Sequence, residues 1–426
     1  MKAIGIDLGT TSVCGVVIDT ESGKVLKSRT ENSNAFLQTE KPFEKIQDSE
    51  KIIALAKDIL DGFIDGEVCA IGVTGQMHGI VYYNEEGNSV SPLYIWQDGR
   101  GNEPYKNSTY AKHLNSFSGY GNVTHFYNSE NGLVPETAVG FCTIHDYLVM
   151  KLCGLKKAII HSSDAASFGL YNIQKNEFNV PFFGEITADY RIAGHYKNIP
   201  VSVAIGDNQA SVFSTLKNES DVLINVGTGS QVSVVSETLV SGENIEVRPY
   251  FENKFLVVGA ALCGGRAYSC LKNFYAQVLK FAGDFSEEQI YAFMGEMLKN
   301  TGDSPLTVDT RFAGTRKNPE LSGSVCGITT ENFNPFELTR ATLCGMAAEL
   351  YNMYLEMNAN CTGMVASGNG IRKNKAFAEI LSEKFGAQIK IPLHLEEAAF
   401  GAALFALISA GIYSDMDKAQ KLINYC

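Results

Sequence analysis

The chain lacks both common glycine signatures for nucleotide binding. It contains no G-x-x-x-x-G-K-[ST] sequence, and no G-x-G-x-x-G follows its first apolar strand, so neither the P-loop nor the Rossmann way of cradling a phosphate is available. None of the ten cysteines forms a C-x-x-C pair or stands with histidine at zinc spacing; reduced thiols are expected, not a disulfide framework or a zinc site. Basic residues are in deficit, 35 Lys and Arg against 47 Asp and Glu for a net charge of -12. With no Lys/Arg run long enough to follow a phosphodiester backbone, nucleic acid is excluded as an expected partner. An anionic ligand must then be met locally, by backbone donors, a metal ion and a few cations. The longest apolar stretch, Ala398 to Ile412, follows Glu396-Glu397 and is too short for a bilayer. Asp7 already interrupts the first apolar run, so no signal peptide and no membrane partner are expected, and the cytoplasm is the expected compartment. A homodimer is expected only on the general ground that two-fold dimers are the commonest oligomers.

What the chain does have is a repeat. Ala3-Ile-Gly-Ile-Asp-Leu-Gly-Thr-Thr-Ser12 returns as Asp221-Val-Leu-Ile-Asn-Val-Gly-Thr-Gly-Ser230, with Asp7 falling on Asn225, Gly9 on Gly227, Thr10 on Thr228 and Ser12 on Ser230. Each copy reads as an apolar strand, a tight Gly/Thr turn and a second apolar strand (13–18 and 232–235). Two hairpins imply two related lobes. At 426 residues, with 45% hydrophobic and 19% charged residues, two α/β domains of a soluble protein are the default, here 1–217 and 218–426.

A Gly/Thr turn exposes N–H groups and hydroxyls without bulk and can wrap a phosphate oxygen. In one copy, a hairpin turn with a capping acid is the plainer reading. The duplication reverses it. Gly9, Thr10, Thr11 and Ser12 with Gly227, Thr228 and Gly229 then become phosphate contacts, and Asp7 a water-mediated magnesium ligand.

Further along, Asp48-Ser49 caps a helix whose Ile52, Ile53, Ala56, Ile59, Leu60 and Phe63 repeat at three- and four-residue spacing. Val68–Val73 reads as a central strand running into Thr74-Gly75-Gln76-Met77-His78-Gly79, and Pro92–Arg100 as another strand ending in Trp96-Gln97-Asp98-Gly99-Arg100. Polar groups at strand ends face a crevice. A polyol needs directional hydrogen bonds and an apolar face to stack on, and Gln76, His78, Gln97, Asp98, Arg100 and the one tryptophan of the chain supply both.

Asp207, in Gly206-Asp-Asn-Gln209, lies where a strand becomes a helix and by itself reads as an N-cap. Its place just before the second turn suggests a carboxylate that accepts a proton from an attacking hydroxyl. In the second half, helices are expected over 264–300 and 335–360. Ser367-Gly368-Asn369-Gly370 then breaks a strand and lets a base or ribose approach the backbone, before a helix from Asn374.

Taken in order, these segments, with Glu397-Ala-Ala-Phe-Gly-Ala-Ala403, resemble the FGGY family of carbohydrate kinases, in the actin/hexokinase/Hsp70 superfamily of duplicated ribonuclease-H-like domains with an interdomain cleft. Gly-Gln-Met-His-Gly is shared with members that phosphorylate xylulose. Trp-Gln-Asp-Gly-Arg, Cys142-Thr-Ile-His-Asp-Tyr147 and Ala165-Ala-Ser-Phe-Gly169 are most similar to members acting on sedoheptulose. The resemblance implies ATP- and Mg2+-dependent phosphorylation of a terminal ketose hydroxyl. Asp207 would be the general base, and Asp7 would serve the metal. Gly368, Asn369, Gly370 and Asn374 would hold the adenosine, and Gln76, Met77, His78, Trp96, Gln97, Asp98, Arg100, Asp207 and Asn208 the sugar. It also implies closure about a hinge near 210–220. Ser367 and Asn369 interrupt the consecutive glycines usual in the adenosine loop.

A nucleotide-switched binding protein of the same superfamily, without sugar chemistry, is the rival from another class. Such proteins lack the Gln-Met-His and Trp-Gln-Asp clusters. A sugar-sensing regulator is a second rival, and the acidic balance speaks against it.

Overall fold

The computed structural model describes residues 1–181, 184–298, 305–318 and 320–426. Its contacts form two units: Met1–Lys217 with Arg248–Lys254 and His394–Asn424, and Asn218–Val247 with Phe255–Leu393 and Tyr425–Cys426.

In unit 1, β1 (Lys2–Leu8), β2 (Ser12–Asp19) and β3 (Val25–Asn32) form an antiparallel meander. Helix α1 (Ser49–Phe63) is capped by Asp48, whose Oδ1 accepts the Lys51 N–H at 3.0 Å, and it buries the apolar face expected from the spacing. β4 (Val68–Gly75) lies parallel to β1. Helices α2 (Ile144–Cys153) and α3 (Ser162–Ser167) follow. β5 (Ile192–Tyr196) pairs with β6 (Ile199–Ser202), which lies parallel to β4, and the short β7 (Ile205–Gly206) also pairs with β4 before α4 (Asp207–Thr215) begins. The sheet order is β5-β6-β4-β1-β2-β3.

Unit 2 repeats the plan. β8 (Asp221–Val226) and β9 (Ser230–Ser236) are antiparallel, β10 (Ile245–Pro249) is the edge, and β11 (Phe255–Ala261) pairs with β9. Helices α5 (Gly264–Leu279), α6 (Glu287–Met297) and α7 (Pro335–Glu356) come next. β12 (Gly363–Ser367) lies parallel to β8, followed by α8 (Asn369–Arg372), α9 (Lys375–Phe385) and β13 (Ile389–Lys390). In both sheets a hairpin of the first two strands is extended by a third antiparallel strand and, on its other side, by parallel strands. The sequence repeat is thus a repeat of topology.

Several expectations need correction. The strand expected over Pro92–Arg100 stops at Tyr94; a turn at Trp96-Gln97 follows, and Arg100 begins a single 3-10 turn, Arg100–Asn102. Asp98 shapes it, because its carboxylate accepts from main-chain and side-chain N–H groups that a strand would point elsewhere. The helix expected over 264–300 is two, α5 and α6, broken where the 280–286 segment ends with Ser286 capping α6; residues 299–300 lie outside the described residues. The two Gly/Thr turns also differ: Leu8 pairs with Val13 across four residues, Val226 with Ser230 across three.

The chain first passes from one contact unit to the other at 217/218, and two later segments return to unit 1. The last long helix, α10 (Glu397–Ser409), which contains most of the 398–412 apolar stretch, belongs to unit 1. It is apolar on all sides and buried, as a helix enclosed by protein must be. Gly5 and Gly72 are paired across β1 and β4. A Cβ on Gly5 would lie 1.7 Å from the Ala399 carbonyl oxygen, and one on Gly72 would lie 1.9 Å from that of Ala402. The Ala/Gly-rich helix therefore rests backbone to backbone on the strands that carry Asp7 and Gln76. Among the described residues no helix is long and apolar enough to cross a membrane, and all ten cysteines are free.

Because a backbone carbonyl cannot yield as a side-chain tip can, Gly72→Ala is expected to destabilise unit 1 by about 3 kcal/mol. Urea unfolding followed by circular dichroism checks this, and an unchanged midpoint would contradict the seating of α10.

Candidate active site

Three strands of unit 1 end at one level: Leu8 pairs with Gly75, and Gly75 with Gly206. The Gln76 N–H donates to the Leu8 carbonyl at 2.9 Å, extending that level by one residue. Asp7, Gln76 and Asp207 therefore emerge side by side from one sheet edge. Asp207 is not the N-cap; Gly206 is, and Asp207 is the first helical residue of α4. A plain N-cap is thus not its role.

The edge is electrostatically crowded. Burial pushes the Asp7 carboxyl up to about 7, with Asp207 adding to the rise and His145 opposing it. Burial likewise lifts Asp207 to about 6, against the pull of His145 and Arg248. His145, fully buried on α2, has its Nε2 2.9 Å from Asp164 Oδ1 of α3. Burial by itself would lower its pKa, but Asp164, with Asp146 and Asp207, raises it to about 9. A cationic imidazole thus sits among buried carboxylates. A Cβ on Gly75 would lie 2.9 Å from His145 Nδ1, so the strand-end glycine is what lets the ring reach this level. On the α3 side, Ser163 Oγ accepts the Gly206 N–H at 3.0 Å and anchors the residue before Asp207.

Beside this edge lie the polar clusters singled out in the sequence. Gln76 is buried, and its amide bonds to Thr10 Oγ1 and Gln47. Met77 is buried and packs against Gly206, with its Cε 2.7 Å from where a Cβ there would stand. His78 is held at φ +73°, a conformation that costs a non-glycine residue about 1–3 kcal/mol. Its Nδ1–H donates to the Ser167 carbonyl at 2.8 Å and its ring stacks on Tyr120 at 4.3 Å.

Asp98 and Arg100 are almost wholly buried and turn toward each other, with Arg100 Nε donating to Asp98 Oδ1 at 2.6 Å. The guanidinium also lies 4.2 Å from the Tyr94 ring centre and bonds to Asn128. This clamp leaves Trp96 and Gln97 exposed at the top of the turn. Gly119, at φ +84°, comes so close behind Trp96 that a Cβ there would meet the Trp96 carbonyl at 1.9 Å. Asn208 is half-buried and accepts from Arg248 Nη1 at 3.1 Å. In the first turn, the Thr11 carbonyl accepts the Ser33 N–H at 2.9 Å, and the Thr11 side chain is exposed. Gly9, Thr10 and Ser12 are half-buried.

Unit 2 contains a cleft of about 2000 Å3. Gly227 and Thr228 of the second turn line it together with Gly368, Asn369, Gly370 and Asn374. The two segments meet because β8 and β12 are neighbours, and a Cβ on Gly368 (φ +87°) would lie 2.4 Å from the Val226 carbonyl oxygen. Gly229 sits behind the turn, its carbonyl accepting the Gly227 N–H at 2.9 Å. Asn374 caps α9. Asn225, the counterpart of Asp7, donates through Nδ2 to Ser367 Oγ at 2.8 Å. Only the first copy carries a carboxylate.

Sequence reasoning does not single out Gly264, Gly265 and Arg266, which begin α5 against the second turn. The N–H groups of Gly265 and Arg266 donate to the carbonyls of Gly227 and Thr228 at 3.0 and 2.9 Å. A Cβ on Gly265 would lie 2.4 Å from the Gly227 carbonyl oxygen. A Gly-Gly pair directly after an apolar strand is the signal that marks them. His145 and Asp164 also escape it, since a lone His and a lone Asp in separate segments carry no spacing signal.

Among the described residues no group of three or more His, Cys, Asp and Glu side chains is arranged to hold a metal ion. Asp7 Oδ1, however, is buried without a hydrogen-bond partner. One such carboxylate oxygen fits a magnesium ion that keeps its waters and takes its other ligands from phosphate.

Comparison with known proteins agrees with this architecture. Two family profiles match, the N-terminal domain of the FGGY carbohydrate kinases over residues 2–185 and the C-terminal domain over 222–410. Sedoheptulokinases of Mus musculus and Homo sapiens are each 28% identical over 95% of this chain and 97% of theirs. The xylulose kinase of Staphylococcus xylosus is 22% identical over 95% and 90%. Among solved structures, the xylulose kinase of Rhodospirillum rubrum superimposes with a TM-score of 0.84 at 18% identity, covering 100% of this chain and 93% of that one. Plasmodium falciparum glycerol kinase with ADP gives 0.80 at 18% identity, covering 99% and 92%. With both family domains matched along most of its length, the chain belongs to the FGGY family of carbohydrate kinases.

Proposed function

We propose that this carbohydrate kinase transfers the γ-phosphoryl group of ATP to the terminal hydroxyl of a ketose, with sedoheptulose as its substrate and sedoheptulose 7-phosphate as its product. The observation that carries the choice of sugar is the 28% identity to two sedoheptulokinases over nearly the whole of both chains. Xylulose is the second reading, supported by the weaker match to a xylulose kinase.

In this reading Asp207 is the catalytic base. As the sugar oxygen attacks the γ-phosphorus, the hydroxyl proton passes to the Asp207 carboxylate, the bond from phosphorus to the bridging oxygen breaks, and ADP leaves with that oxygen's electrons. A carboxylate with a pKa near 6 suits this role, being ionised at neutral pH and more basic than a solvated Asp. His145, held by Asp164, keeps it from rising further. Gln76, His78, Trp96, Gln97 and Asn208 contact the sugar, while Met77, Asp98 and Arg100 hold them in place.

In unit 1, Gly9, Thr10, Thr11 and Ser12 bind phosphate oxygens. In unit 2, Gly227 and Thr228 do so with Gly229 shaping the turn, and Gly368, Asn369, Gly370 and Asn374 take the adenosine. Arg266 and Lys373, which also line the unit 2 cleft, add positive charge there. Asp7 holds Mg2+ through water, and the ion, when bound, neutralises phosphate charge.

Across a panel of ketoses in a coupled ADP-release assay, sedoheptulose is expected to give the highest kcat/KM, with xylulose behind it. Turnover with neither sugar would overturn the assignment. Asp207→Asn is expected to lower kcat by about 10²- to 10⁴-fold while MgADP affinity, read by calorimetry, is retained. The pH profile of kcat/KM is expected to fall off on the acid side near pH 6, as Asp207 gains its proton. His145→Gln removes a positive charge that favours the ionised form, so that limb should move to higher pH. A limb that stays in place, or moves down, contradicts the role given to His145.

A further inference from the structure

Three residues of unit 1 close a hydrogen-bonded ring that the proposed chemistry does not itself require. Thr10 Oγ1 donates to Gln76 Oε1 at 3.2 Å. Gln76 Nε2 donates to Gln47 Oε1 at 3.0 Å. Gln47 Nε2 returns to the main-chain oxygen of Thr10 at 2.6 Å. The directions agree all the way round, each amide giving one proton and accepting one. A fourth residue joins from outside, because Trp96 Nε1 donates to the same Thr10 Oγ1 at 3.0 Å.

Gln47 is fully buried and Gln76 nearly so, whereas Trp96 is 46% exposed. Buried amides lose their solvation if these bonds break, so the ring holds its geometry. Gln47 is also tied to the segment that delivers Trp96, since residues 46–47 pair with 93–94. The first phosphate turn and the sugar-facing side chains are thus joined through one hydroxyl.

That hydroxyl has a single proton, and Gln76 holds it. A sugar hydroxyl donating to Gln76 Oε1 competes with Thr10 for that oxygen and weakens their 3.2 Å bond, which lets the Thr10 proton turn toward a phosphate oxygen while the indole N–H keeps Oγ1 in place. We propose that Gln47 is a positioning residue which, through Gln76 and Trp96, makes the Thr10 hydroxyl respond to the ketose, so that sugar and nucleotide phosphate strengthen each other's binding. The inference rests on the reading of Thr10 as a phosphate contact and of Gln76 and Trp96 as sugar contacts.

The test is a pair of calorimetric titrations on the full chain, MgADP with and without saturating sedoheptulose. Wild type is expected to bind MgADP at least about fivefold more tightly when sugar is present. Gln47→Met, which keeps the bulk and removes both hydrogen bonds, should bring that ratio close to one, as should Thr10→Val. Thr10→Ser, which keeps the hydroxyl, should restore it. Because Trp96 is the only tryptophan, its emission gives a second readout: MgADP alone should alter it in wild type and not in Thr10→Val.

A merely structural role for Gln47 would lower the melting temperature and weaken both ligands without changing the ratio, and that result overturns the proposal. A wild-type ratio of one, with both ligands binding, overturns it while leaving the kinase reading intact. Failure of wild type to bind either ligand removes both. Should Gln47→Met not fold, the Thr10→Val and Thr10→Ser pair decides the matter in the same way.

Discussion

A buried imidazolium among carboxylates is the constraint on which the rest of unit 1 depends. Asp7 and Asp207 leave the sheet at one level, and burial pushes both toward the neutral acid, with Asp207 adding to the rise of Asp7 and Asp164 to that of Asp207. A nearby cation opposes that rise and favours the ionised carboxylates. His145 supplies that cation and Asp164 keeps it charged. Its placement needs a glycine at 75, a helix start at 144 and a short helix at 162, each far from the others in sequence. The strands themselves are held flush by α10, which lies against Gly5 and Gly72 with no side chain between.

The two units show how one strand plan serves different chemistry. Both have a meander, a Gly/Thr turn and parallel strands on the far side of the first strand. In unit 1 the position before the turn is Asp7, with an oxygen free of partners; in unit 2 it is Asn225, bonded to Ser367. An amide there carries no charge and holds two strands together. The second turn is one residue tighter and backed by the Gly264-Gly265 start of α5, which brings a helix N-terminus close to it. The helix dipole favours anions at such a place, while the Gly265 and Arg266 N–H groups are taken up by the carbonyls of the turn.

Much of this is legible in the residues. The hairpin repeat carries its own register, since alternation and turn chemistry are local. Helix α1 follows from the spacing of its apolar residues and from Asp48. The loop over 367–370 is recognisable because its glycines mark a close approach, as at Gly368, which has a positive φ. Trp96–Arg100 reads as strand because the apolar run before it continues the alternation, while the clamp that ends it is a contact between Asp98, Arg100, Asn128 and the main chain of Lys45. The helix α10 can be seen as apolar, but its partner strands cannot be read from it.

By itself the sequence determined the duplicated α/β plan, the two phosphate-sized turns and the carboxylate at position 207, because each is written in neighbouring residues through period, turn propensity and residue type. Only the tertiary structure decided that α10 belongs with the first unit, that His145 and Asp164 neutralise the strand edge, and that Gln47 ties Thr10 to Gln76. Those pairings join segments tens to hundreds of residues apart. They depend on which strand ends align and which glycines leave room, and the chain acquires those properties only when it is packed.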